Sequence, residues 1–140
     1  MKRTLFIIII LLGVCSAVRA QKGLSIQAAF DELAVKKNAT EVVMGAGRLK
    51  NYKLNFFHSL EIKNPSASEQ QRVEALLRAD AEHAILHKEN GGHKLYELPQ
   101  RRSMHYYIFY RCTSQSLILI YIEGKANLKQ IESQFLKNAK

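Results

Sequence analysis

The chain has 140 residues, 47% hydrophobic and 24% charged, with 21 Lys and Arg against 12 Asp and Glu and a formal charge of +9. An apolar fraction of that size excludes a disordered chain, and the length excludes an assembly of several domains. Cys15 and Cys112 are too few for a disulfide-framed scaffold.

The N-terminal segment is the first readable element. Lys2 and Arg3 precede an almost unbroken apolar run from Leu5 to Val14, and Val18-Arg19-Ala20 ends with small side chains where an export peptidase cuts. This pattern predicts a signal peptide over 1–20, with cleavage before Gln21. The run is short of the roughly 20 apolar residues that a transmembrane helix needs. A lipoprotein reading would make Cys15 the acylated first residue, but branched Val14 stands where that peptidase takes a small one. Lys2, Arg3 and Arg19 leave with the leader and no acid does, so residues 21–140 carry +6. They form one predicted domain in which Cys112 is the remaining thiol, exported to the periplasm or beyond.

Ser25 is a candidate N-cap. Ile26, Ala29, Phe30 and Leu33 follow at helical spacing, which predicts an amphipathic helix over about 25–37. Thr40 to Met44 reads as a short strand ended by a turn at Gly45-Ala46-Gly47. From Tyr52, the residues Leu54, Phe56, His58, Leu60 and Ile62 share one parity, opposite Lys53, Asn55, Ser59 and Glu61, as in a half-buried strand. Ser66-Ala67-Ser68-Glu69 is a capping box. It opens a predicted helix that reaches about Lys88, with Asn90-Gly91-Gly92 as its stop. Lys94 to Leu98 is a short strand and Pro99 to Ser103 a polar loop. Met104 to Cys112 and Leu117 to Ile122 are apolar on both parities, so they belong at the centre of a sheet. Asn127 with Gln130 caps a last helix, whose inner side is Leu128, Ile131, Phe135 and Leu136. The expected fold is α+β, in the order α-β-β-α-β-β-β-α, with an antiparallel sheet of four to five strands packed with two to three helices.

Candidate chemistry is sparse. Asp80, His83 and His87 would share one face of the predicted long helix, and imidazole with carboxylate at that spacing suits zinc or copper. Against this, Asp80 falls within the apolar stripe of Val73, Leu77 and Ala84, where a carboxylate needs donors such as a backbone amide or a tyrosine hydroxyl. His58 occupies the apolar parity of its strand, as a core or rim histidine does. A second candidate, an anion or ligand surface, combines Arg101, Arg102 and Arg111 with Tyr107 for stacking on sugars or bases. Alternation, however, sends Tyr106 and Tyr110 to one face and Tyr107 to the other. The chain contains no Gly-x-Ser-x-Gly elbow, phosphate loop, dinucleotide fingerprint or Cys-x-x-Cys.

The leader ending Arg19-Ala20-Gln21, the strand Tyr106-Tyr107-Ile108-Phe109-Tyr110, and Ile120-Tyr121-Ile122-Glu123-Gly124 before a capped helix carry a resemblance. In these the chain resembles small exported proteins of Bacteroidetes grouped as domain of unknown function 6108. The resemblance implies an envelope role in a gut anaerobe and no assigned catalytic residue. The expected function is therefore a non-enzymatic exported binding or accessory module of the cell envelope. No cofactor is expected, and the basic charge suits an acidic envelope component or another protein rather than genomic nucleic acid. The competing reading is a small periplasmic metal-dependent enzyme built on Asp80, His83 and His87. A third reading has a like subunit as the sole partner.

Overall fold

The computed structural model describes residues 23–136. The predicted signal peptide, Cys15 included, lies outside the described residues, as do the side chains of Phe135 and Leu136. Helix α1 (Ile26–Leu33) leads to β1 (Ala39–Gly45), and a short α2 (Ala46–Leu49) runs through a 3-10 turn (Lys50–Tyr52) into β2 (Leu54–Lys63). Helix α3 (Ala67–Ala81) then precedes four consecutive strands, β3 (Leu86–Asn90), β4 (His93–Arg101), β5 (Met104–Cys112) and β6 (Ser116–Gly124). Helix α4 (Leu128–Ile131) follows and widens into a π-type turn (Glu132–Leu136).

All neighbouring strands are antiparallel, in the order β1-β2-β6-β5-β4-β3. Helix α3 carries the chain from β2 to the far edge, and the meander β3 to β6 returns to close the gap beside β2. The two strands that are apolar on both parities, β6 and β5, occupy the centre. One sheet face buries Leu60, Ile62, Ile108, Tyr110, Leu117, Leu119 and Tyr121 beneath α1 and α3. The other face buries Leu95, Tyr107, Phe109, Ile120 and Ile122 with Leu49, Ala126 and Ile131. Hence the sheet, covered on both sides, is the larger part of the structure, with α1 and α3 as its principal helical cover.

This corrects the expected architecture. Among the described residues the sheet has six strands rather than four to five, and four helices rather than two to three accompany it. The largest difference lies at 82–90, where the predicted helix stops at Ala81 and Leu86–Asn90 pairs with β4 instead. Gly91 and Gly92 (φ 56° and 86°) are the two loop residues of the β3–β4 hairpin, not a helix stop. Such a turn needs positive φ at both central positions, which glycine adopts without strain. The predicted loop at Pro99–Ser103 is also mostly strand: β4 extends to Arg101 across an irregularity in register, and only Arg102 and Ser103 turn the chain. The turn at Gly45-Ala46-Gly47 winds instead into α2.

At the end of β6, Gly124 permits a close approach. A Cβ there would meet the Lys53 carbonyl oxygen at 2.5 Å. That oxygen accepts from the amides of Lys125 (2.9 Å) and Ala126 (3.1 Å). The Tyr107 hydroxyl donates to the Ala126 carbonyl at 2.9 Å from the other side. Backbone contact at the glycine thus fixes where the chain leaves the sheet for α4.

Candidate functional site

A cleft of about 680 Å³ opens where the sheet ends against the N-terminus of α1 and the C-terminus of α3. Its sheet wall is Leu98, Pro99 and Arg101 of β4, Tyr106 of β5, and Tyr121 and Glu123 of β6. Gly23, Leu24, Asp80 and His83 complete it. Register explains the grouping: Leu98 pairs with Tyr106 and Tyr106 with Glu123, so their side chains share one row across three strands.

Glu123 is the chemically conspicuous member. Its Oε2 is buried and has no hydrogen-bond partner among the described residues. Burial pushes its carboxyl above the usual carboxylate range, against the opposing pull of a hydrogen bond from Tyr121. Burial likewise raises the Tyr121 hydroxyl, reinforced by Glu123 and offset by the charge of Arg101. A guanidinium, an under-satisfied carboxyl and two tyrosines therefore meet in one concavity, as a site for a polar ligand requires.

Asp80 has a different task. It is 4% exposed, its Oδ1 accepts the Ser25 amide at 2.7 Å, and its Oδ2 accepts the Ile26 amide at 2.8 Å. These are orphan donors at the start of α1, and a carboxylate there also meets the positive end of the helix dipole. Ser25 makes no side-chain cap bond, so the cap comes from α3, far away in sequence. His83 lies in the turn after α3 and reaches the cleft, but His87 lies on β3, stacked on Tyr96 with ring centroids 4.4 Å apart. The proposed metal trio does not share a helix face, because the helix on which it was placed ends at Ala81. Among the described residues no three His, Cys, Asp or Glu side chains are grouped to hold a metal ion.

The second predicted surface is also dispersed. Arg101 borders the cleft, and Arg102 sits at the hairpin tip with φ 52°. Arg111 pairs with His93 on the opposite face, and Tyr107 is fully buried in that face's core. His58 is buried on the face its parity implied, stacked 3.8 Å from Phe30 with Nε2 2.9 Å from Glu41 Oε2. Sequence reasoning passed over Glu123, although it shares the buried parity of Leu117, Leu119 and Tyr121. It also passed over Glu97, 9% exposed, whose Oε1 lies 3.1 Å from His105 Nδ1.

Fold and cleft together define a small antiparallel-sheet protein with a two-sided core and a polar recess at one end. The chain belongs to a family of unknown function, DUF6108, whose family model matches residues 13–135. No curated protein matches it. No helix among the described residues is long and apolar enough to cross a membrane.

Proposed function

We propose that the protein is a non-enzymatic binding module, exported by its N-terminal leader to the cell envelope, and that the cleft takes an acidic sugar. The observation that carries this reading is the buried Oε2 of Glu123, unpartnered among the described residues, in a recess shared with Arg101, Tyr106 and Tyr121. An orphan acceptor is costly unless a ligand supplies a donor. A sugar hydroxyl donates to Glu123, a uronic carboxylate accepts from Arg101, and the tyrosine rings pack against the apolar face of the pyranose. The basic balance of the mature chain favours the same class of ligand. Chemistry on that ligand is not part of the reading, because Asp80 is committed to the backbone of α1.

Titration calorimetry with trigalacturonic acid tests it. Binding is expected, lost in Glu123→Ala and in Arg101→Ala while circular dichroism stays native. Absence of binding to the native protein, or binding unchanged in both variants, overturns it.

A further inference from the structure

The two edges of the sheet differ. β3 carries His87, Lys88, Glu89 and Asn90, and Lys88 is ion-paired with Glu132 of the C-terminal turn. Charge and cover of this kind keep an edge from pairing with another chain. β1 is less guarded: Ala39–Gly45 contains no Lys, Arg or Pro, carries Glu41 as its one charge, and pairs with β2 without a register shift. Val42 and Val43, one on each face, are 40% and 45% exposed.

The backbone of β1 is arranged for a further strand. The Lys63 amide donates to the Asn38 carbonyl at 2.9 Å. Antiparallel ladders alternate, so Thr40, Val42 and Met44 also turn their amides and carbonyls toward β2, while Glu41 and Val43 turn theirs outward, between Ala39, whose amide donates to the Lys36 carbonyl at 3.1 Å, and Gly45, the N-cap of α2.

We infer that β1 is the interface between two copies of this chain, paired antiparallel about Val42 so that the sheet runs on through both. This register overlaps the whole strand. Val42 meets its own counterpart, Glu41 meets Val43, Thr40 meets Met44, and Ala39 meets Gly45. Glu41 and Val43 of each copy then fall in hydrogen-bonded pairs, and the Ala39 carbonyl faces the Gly45 amide. The strand's one charge, Glu41, faces an apolar residue rather than itself, with its carboxylate held by His58 at 2.9 Å. The Val42 pair falls at a non-hydrogen-bonded position, where side chains approach most closely and β-branched residues pack well. Pairing about Glu41 would set two carboxylates against each other, and pairing about Val43 would set Glu41 against Gly45, the N-cap of α2, whose carbonyl accepts the first bond of that helix. The symmetric fit singles out a second copy over a strand from another protein.

Sedimentation equilibrium of the protein, expressed from the full-length chain, tests the assignment. A concentration-dependent dimer is expected. Val43→Pro removes an outward amide and spares the ladder to β2, so it should be monomeric with an unchanged urea midpoint under dilute conditions. Should that variant fail to fold, Val42→Lys sets two ammonium groups together at the axis and should likewise abolish the dimer. A native protein that stays monomeric at several hundred micromolar overturns the inference. So does a folded variant of either kind that dimerises as the native chain does. Neither result depends on the cleft or its ligand.

Discussion

Two buried carboxyl groups near the cleft show how a single acid can serve structure or recognition. Asp80 has both oxygens filled by backbone amides, which pins the start of α1 to the end of α3. Replacing it with Asn leaves at most one acceptor for two donors, one of them facing an amide NH₂. Hydrogen bonds to a charged group are worth about 1.5–3 kcal/mol, so Asp80→Asn should lower unfolding stability by about 2 kcal/mol. Urea denaturation measures the loss, and hydrogen exchange at the Ile26 amide should accelerate with it. Unchanged stability would mean that the carboxylate does not cap α1. The inward position of Asp80 was legible from its place on the helical wheel, and the need for donors followed from its charge. Glu123 was legible by the same argument on a strand. It was missed because its companions, Arg101, Tyr106 and Tyr121, are brought together by strand register rather than by spacing along the chain.

The elements divide by whether local chemistry or tertiary pairing decides them. Both capping boxes, Ser66 with Glu69 and Asn127 with Gln130, form as their spacing implies. β2 shows the expected alternation of burial. Residues 82–90 are decided from a distance. Glu82, Ala84, Leu86, Lys88 and Glu89 are good helix formers, and Ile85 alone among them is β-branched. Pairing with β4 overrides that preference, beginning at the Ile85 amide, which donates to the Glu97 carbonyl at 2.8 Å. The β4–β5 hairpin is a parallel case, since Arg102 (φ 52°) and Ser103 (φ 64°) both adopt a left-handed conformation without being glycine. Nothing local in Arg-Ser announces such a turn, and the strain is borne beside Arg101 at the cleft. Asn-Gly is the pair that this turn prefers. Arg102→Asn with Ser103→Gly should therefore stabilise the protein by about 1 kcal/mol, read as a higher urea midpoint with an unchanged slope. A drop in stability would show that the hairpin depends on contacts of the native side chains.

At the scale of the whole molecule, proton uptake should set a pH profile with two opposed contributions. Burial, aided by the charge of Arg111, lowers the pKa of His93, so the unfolded chain protonates first. The stability from a neutral His93 is intact above the ordinary imidazole value of about 6.5 and declines as pH falls below it. The Ser66 amide and Lys36 hold Glu69 below the ordinary carboxylate range. Its contribution is present above the unfolded value of about 4.3 and is lost as pH falls through the folded one. Glu123 acts in the opposite direction. Burial raises its pKa, so the folded protein keeps a proton that the unfolded chain releases, and stability falls as pH rises through that interval. Between about pH 7 and pH 5 His93 and Glu123 oppose each other, so in His93→Gln the urea midpoint should fall less, or rise more, on acidification than in the native protein. Glu123→Gln should raise the midpoint at neutral pH and leave it unchanged near pH 4, where the native side chain is already protonated. Because the same substitution removes the charge that the proposed sugar meets, a gain in stability with a loss of trigalacturonate binding would mark Glu123 as a group kept at a cost to the fold for recognition. Equal gains at both pH values would show instead that its charge is not what the folded protein resists.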